Sequence, residues 1–303
     1  MRKILTLAAA FAVAAVFIPQ ALAADPTPVP FPAPTVVQVF VAAETVTPTG
    51  VLANYYAPGT TVVFRVYAVD QKTKKVLTAS DVKYFYITIP NQPNVKLKYN
   101  PTATGANVTH PWVGTWTVPA TYAAGTVNFK VLIQTKQKMK GQFVQLPVGS
   151  SQLTISATPP PIAAAGPAAA ATALPSSLDV SLYVDSVNGT RPAAAKPRPI
   201  GCTQTNVYSR GEQFVLRAWG SDMTTGAILS SDNVKDAHFS VPGVPDVVLN
   251  WGAHGATTNR VWFWSNQWQI AADFPLGDTT VKVVFNLENG KVGTYDFHIT
   301  IIP

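Results

Sequence analysis

The sequence predicts an all-β fold: two tandem β-sandwich domains joined by an Ala/Pro linker. Three observations predict it. Residues 54–141 return as residues 206–293 at a constant shift of 152 positions (206 − 54), without a gap and with about a quarter of positions identical. Each copy is written in short runs of β-branched and aromatic residues at regular spacing, with no convincing helical periodicity. Between the copies, residues 157–176 are dominated by Ala and Pro, the composition of a semi-flexible spacer.

The elements follow in order. Residues 1–24 read as a secretory signal: Arg2 and Lys3 begin it, an apolar run from Ile4 to Ile18 follows, and Ala21-Leu22-Ala23 forms a small-residue cleavage site before Ala24. The alternative is an uncleaved anchor, for which the run is short and Ala-rich. No Cys follows the cleavage site, and no second apolar run is long enough to span a bilayer, so the processed chain is expected to be soluble, exported to the periplasm or the exterior. Residues 25–35 form a Pro-rich arm, extended or simply disordered.

The first sandwich is expected over residues 36–156 and the second over 177–303. Val36 to Ala42 alternates as a strand, and Val46 to Gly50 reads as a turn. Thr61 to Val69 is a strand matched by Glu212 to Ser221; both stop at an acid, Asp70 and Asp222. Val82 to Pro90 and Val234 to Pro242 form the next matched pair, each ended by proline. Val95 to Tyr99 and Val247 to Trp251 follow. Trp112 and Trp116, like Trp264 and Trp268, lie four apart, which in a strand puts both rings on one face. These four are the expected structural core. Gly125 and Gly277 open the next strand, and Asn289-Gly290 marks a tight hairpin. The last strands are Gly141 to Ile155 and Gly293 to Ile302. In the second copy, Val180 to Val184 is the first strand, and Arg191 to Pro199 lengthens the loop behind it.

Composition narrows the function. Without Arg2 and Lys3 the basic count is 22 − 2 = 20 against 15 acids, a net charge of +5. Charged residues make up only 12% of the chain, which argues against the dense Lys/Arg face that nucleic acids require. A single cysteine, Cys202, cannot form an internal disulfide. It reads as buried and inert, the alternative being an exposed thiol able to pair with another chain.

The matched residues Asn54/Asn206, Tyr56/Tyr208, Gly59/Gly211, Arg65/Arg217, Asp70/Asp222, Val82/Val234, Pro90/Pro242 and the two Trp pairs carry a resemblance. The layout resembles the tandem immunoglobulin-like or fibronectin-III-like modules of exported bacterial proteins. The resemblance is one of architecture: there is no Cys pair, and the Trp pair falls late in each repeat. It implies a sandwich and, by itself, no particular function.

No catalytic residue is expected. None of His110, His238, His254 and His298 lies near a Ser or Cys nucleophile in a recognisable elbow, and Asp70 and Asp222 read as turn residues bonding their own backbone. No metal site or cofactor is expected, since zinc and calcium spacings are missing and Cys202 has no His or Met close in sequence. The binding candidates are two. Trp262 and Phe263 replace His110 and Pro111 of the first copy, and two extra aromatics could stack on a sugar or fill a partner's pocket; the alternative is a larger core or a contact between domains. Lys136, Lys138 and Lys140 alternate, so in one strand they share a face able to meet an acidic polymer or partner; the alternative is a solvated edge that blocks strand pairing. The expected function is a non-catalytic interaction or structural protein, its partner an envelope or secreted protein. Carbohydrate binding through the aromatics of the second domain is the alternative.

Overall fold

The computed structural model describes residues 38–100, 111–145, 149–160, 178–189, 201–254 and 260–303. The signal segment, the Pro-rich arm, most of the linker and the 191–199 insertion lie outside these described residues.

In the first repeat the strands are β1 (Val39–Val46), β2 (Tyr55–Tyr56), β3 (Thr61–Asp70), β4 (Val82–Thr88), β5 (Val95–Lys96), β6 (Lys98–Tyr99), β7 (Trp112–Thr117), β8 (Gly125–Thr126), β9 (Lys130–Thr135), β10 (Lys140–Val144) and β11 (Thr154–Ile155). In the second they are β12 (Val180–Asn188), β13 (Val207–Ser209), β14 (Gln213–Asp222), β15 (Val234–Val241), β16 (Val244–Val248), β17 (Asn250–His254), β18 (Val261–Gln269), β19 (Gly277–Leu287) and β20 (Val292–Ile302). One sheet of the first repeat runs β1-β3-β7-β6, and its counterpart runs β12-β14-β18-β17. The opposing sheet of the second repeat runs β13-β20-β19-β15-β16. In the first repeat the same sheet is broken into β10-β9-β4-β5 and β2-β11-β8. β2 with β11 and β13 with β20 pair in parallel; the other named strand pairs are antiparallel. This is the two-sheet layout of an immunoglobulin-type sandwich.

Matched residues explain why both repeats close in the same way. The indole nitrogens of Trp112 and Trp264 each donate to a carbonyl 35 residues earlier, Leu77 and Leu229, both at 2.9 Å. Leu77 and Leu229 are themselves repeat partners (77 + 152 = 229), so each sandwich is pinned by the same buried bond. Trp116 meets Tyr122 edge-on, and Trp268 meets Phe274 likewise. Gly141 and Gly293 lie where the last long strand passes the first: an added Cβ would come within 2.5 Å of the Val39 carbonyl oxygen or of Val180 Cγ1. Only glycine lets these backbones approach so closely.

The structure redraws several elements. Val95 to Tyr99 is not one strand. β5 pairs with β4 and β6 with β7, so the chain changes sheets at buried Leu97, and it does so again at Leu249 between β16 and β17. β1 runs on to Val46 and β12 to Asn188, past the ends that the apolar pattern suggests. Glu44 and Asp185 are the reason: each is an acid buried inside the strand, in register with Arg65 and Arg217 respectively. Gly141 to Ile155 is split, with β10 ending at Val144 and β11 reforming only at Thr154.

The two repeats also pack against each other. On β3, Val62, Phe64, Val66 and Ala68 point into the first core, whereas Tyr67 and Val69 point away from it. On β14, Phe214, Leu216 and Ala218 point inward and Trp219 points away. Tyr67, Val69, Ala42, Tyr183, Trp219 and Phe263 meet in one buried cluster. The β1-β3-β7-β6 and β12-β14-β18-β17 sheets therefore face each other, and the molecule is four β-layers deep. The clasp is reciprocal. Asn206 Oδ1 accepts the Leu52 amide at 2.9 Å, and Asn54 Oδ1 accepts the Gln204 amide at 3.0 Å. Both members are repeat partners (54 + 152 = 206; 52 + 152 = 204), so residue i touches j and j touches i, as in a symmetric dimer. The Tyr67 hydroxyl donates to the Leu182 carbonyl, and Lys74 pairs with Asp179 at the rim.

Candidate functional site

The aromatic end of the second repeat is built on β18. Strand alternation sends Trp262, Trp264 and Trp268 toward one face and Val261, Phe263 and Ser265 toward the other. The latter face is covered by the first repeat. Phe263 is 3% exposed in the cluster between the repeats, 5.0 Å from the Trp219 ring: of its two readings it takes the contact between domains, not the open binding ring. Trp262 is half-buried. It stacks on Trp251 with centroids 5.7 Å apart and planes 27° apart, and Trp251 leans on Trp264 at 5.6 Å. The pair exists because β17 runs beside β18 with Trp251 opposite Trp264 and Ala253 opposite Trp262. Ala253 leaves room for the Trp262 ring to turn toward Trp251. Trp251 is a member of this site that the sequence reading missed; its signal is that it matches Tyr99, an aromatic in both copies.

The lysine row does not form. Lys136 and Lys138 lie in the turn after β9, Lys138 with a positive φ of 67°, and only Lys140 belongs to β10. All three are exposed but share no strand face. Trp112, Trp116, Trp264 and Trp268 are between 5% and 8% exposed, in the two sandwich cores. Cys202 is exposed, in a turn with φ of 58°, which corrects the buried reading; its carbonyl accepts from Ser151 Oγ at 2.9 Å.

Several buried ionisable side chains are committed to structure. Arg217 lies between the repeats. Its Nε and Nη2 donate to the two carboxylate oxygens of Asp185 at 2.7 and 2.5 Å, and its Nη1 reaches Ser151 Oγ in the first repeat at 2.7 Å. Burial acts to lower the guanidinium's pKa, but the charge and hydrogen bonds of Asp185 outweigh it and the net shift is upward. Gln204 Nε2 completes the Asp185 site at 2.7 Å. His254 stacks on Phe263 at 4.0 Å and meets Ser265 Oγ at 3.1 Å. Burial, and then the charge of Arg217, hold its pKa below the usual imidazole value. Ser265 is buried on the face that the first repeat covers. Asp70 and Asp222 accept backbone amides two residues on, from Lys72 and Thr224, both at 2.8 Å. Among the described residues, no group of three or more His, Cys, Asp or Glu could hold a metal ion. No helix among them is long and apolar enough to cross a membrane.

No protein-family model matches the chain, and neither does any curated protein. Similar solved structures include the fibronectin(III)-like modules of Clostridium thermocellum CbhA, 12% identical, covering 86% of this chain and 93% of that one, with a TM-score of 0.21. A second is the Bacteroides ovatus mixed-linkage glucan utilisation locus protein SGBP-B with a bound mixed-linkage heptasaccharide, 8% identical over 82% of this chain and 43% of that one, TM-score 0.20. A third is the C-terminal domain of the Streptococcus agalactiae AgI/II polypeptide BspA, 9% identical over 86% and 99%, TM-score 0.18. The resemblance is one of architecture, and the fold rests on the strand order described above.

Proposed function

We propose that this is an exported, non-catalytic interaction or structural protein: a signal segment (1–24), an arm (25–35), and two immunoglobulin-like sandwiches (36–156 and 177–303) on a linker (157–176), binding another envelope or secreted protein. One observation carries the reading. Matched Asn54 and Asn206, with the Arg217–Ser151 bond, hold the repeats to each other, and the sheets left outermost are the ones in which the repeats differ. Binding then falls to the outward sheets, their edges and the unequal loops. Edge strand β16 is five residues long where β5 has two, and an exposed edge can accept a partner's strand.

The test is capture from the native envelope and medium on immobilised residues 25–303, with bound proteins and glycans both identified. A protein partner retained at stoichiometric level supports the reading. A small-molecule turnover by the same preparation, with nothing retained, overturns it. The stacked Trp251–Trp262 pair favours a second reading, carbohydrate binding, because half-open indoles present an apolar face to a sugar ring. Captured glycan, lost in Trp262→Ala with the thermal transition unchanged, would put that reading first.

A further inference from the structure

The two outermost sheets are repeat partners, yet they carry opposite charge. On the outward face of β10-β9-β4-β5 the register sets out three rows: Lys140, Gln134 and Tyr84; Gln142, Leu132, Tyr86 and Lys96; Val144, Lys130 and Thr88. The face holds Lys96, Lys130 and Lys140 and no acid. On the outward face of β20-β19-β15-β16 the matching rows are Val292, Asn286 and Asp236; Thr294, Val284, His238 and Val248; Asp296, Lys282 and Ser240. Asp246, two residues before Val248 on β16, faces the same way. Position by position, Lys96 and Lys140 become Val248 and Val292, whereas Tyr84 and Val144 become Asp236 and Asp296. Lys130 and Lys282 are both retained. Exposed apolar side chains sit among these charges: Tyr84 is 50%, Val144 49%, Val248 57% and Val292 54% exposed.

We propose that the basic outer sheet of one copy docks on the acidic outer sheet of the next, so that the chain self-assembles head to tail. The occupant of each face is a second copy of this chain. Charge complementarity argues for it, with Lys96, Lys130 and Lys140 against Asp236, Asp246 and Asp296; His238 sits among these acids, 2.8 Å from Asp236 and 4.0 Å from Asp246, and exposed apolar side chains flank the charges on both faces. The layer order argues for it too. The repeats already pack sheet face on sheet face, and because the two free faces lie on opposite sides of a four-layer stack, a further copy continues the stack. Such a contact joins unlike surfaces and does not close, so it makes chains rather than a dimer. This goes beyond the proposed function and stands whether or not a foreign partner is captured.

The experiment is sedimentation velocity on residues 25–303 from micromolar to millimolar concentration, at low and high salt. The expected result is a mass that grows with concentration past the dimer and shrinks with salt. Lys96→Glu/Lys140→Glu and Asp246→Lys/Asp296→Lys should each weaken association by at least about tenfold, because each makes both faces alike. An equimolar mixture of the two variants should associate again, and unchanged thermal transitions exclude misfolding. A wild-type chain that stays monomeric throughout overturns the proposal. So does association that stops at the dimer or ignores both reversals, and so does a monomer that instead binds polygalacturonate through Lys96 and Lys140.

Discussion

Replacing Arg217 by Met should destabilise the protein by about 3–5 kcal/mol, because it leaves a buried carboxylate without its counter-charge. The structure sets this magnitude. Asp185 is 2% exposed and takes two charged hydrogen bonds from Arg217. Without them it keeps only Gln204 Nε2 at 2.7 Å and the Tyr183 hydroxyl at 3.3 Å, both neutral. Ser151 Oγ loses its cross-repeat donor as well. The double variant Asp185→Leu/Arg217→Met removes the charge together with its partner, and should recover most of the loss. Equilibrium urea unfolding followed by tryptophan fluorescence reads both. Lys75→Ala is the control: Lys75 is half exposed in its pair with Asp81, and its loss should cost no more than about 1 kcal/mol. The reasoning fails if Arg217→Met costs under about 1 kcal/mol, or if the double variant is as unstable as the two single losses added together.

Further expectations concern the clasp, pH and the thiol. Asn206→Ala strands the buried Leu52 amide and should cost about 1–3 kcal/mol; in calorimetry it should draw apart the melting of the two repeats, and an unchanged single transition would contradict this. Burial holds the pKa of His254 and of His298 below the unfolded imidazole value, against Asp296 and Asp278 in the case of His298. A depressed imidazole contributes stability above its unfolded pKa that is lost as pH falls through the folded pKa. Tm should therefore drop between about pH 7 and pH 5, and less so in His254→Gln/His298→Gln; parallel curves would contradict it. Cys202 should react with a thiol reagent in the native protein, one equivalent per chain. A requirement for denaturant would place it inside.

Much of the sandwich is visible in the sequence because the 152-residue shift aligns residues that do the same work, such as Trp112 with Trp264 and Gly141 with Gly293. The same shift conceals what joins the repeats. Asn54 and Asn206 match as identities, so each reads as internal to its own copy; their bonds to Gln204 and Leu52 depend on the packing of one copy against the other. Arg65 and Arg217 also match, but their opposing acids stand at Glu44 and Asp185, 141 positions apart (185 − 44), because the intervening loops differ in length. An acid in mid-strand ordinarily marks an end, which is why β1 and β12 read short. Phe263 alternates away from Trp264 onto a face that the sequence leaves open and the first repeat covers. The charge swap between the outer sheets appears only once register fixes which side chains share a face.

The central claim is that the two repeats hold each other face to face and so turn unlike sheets outward. Small-angle X-ray scattering of residues 25–303 carrying Lys96→Glu/Lys140→Glu, monomeric because both outer faces are then acidic, tests it most directly. A single body with a radius of gyration of roughly 20 Å is expected, as for one folded unit of this length. Scattering from two separated bodies, with a radius well above that value, would contradict it.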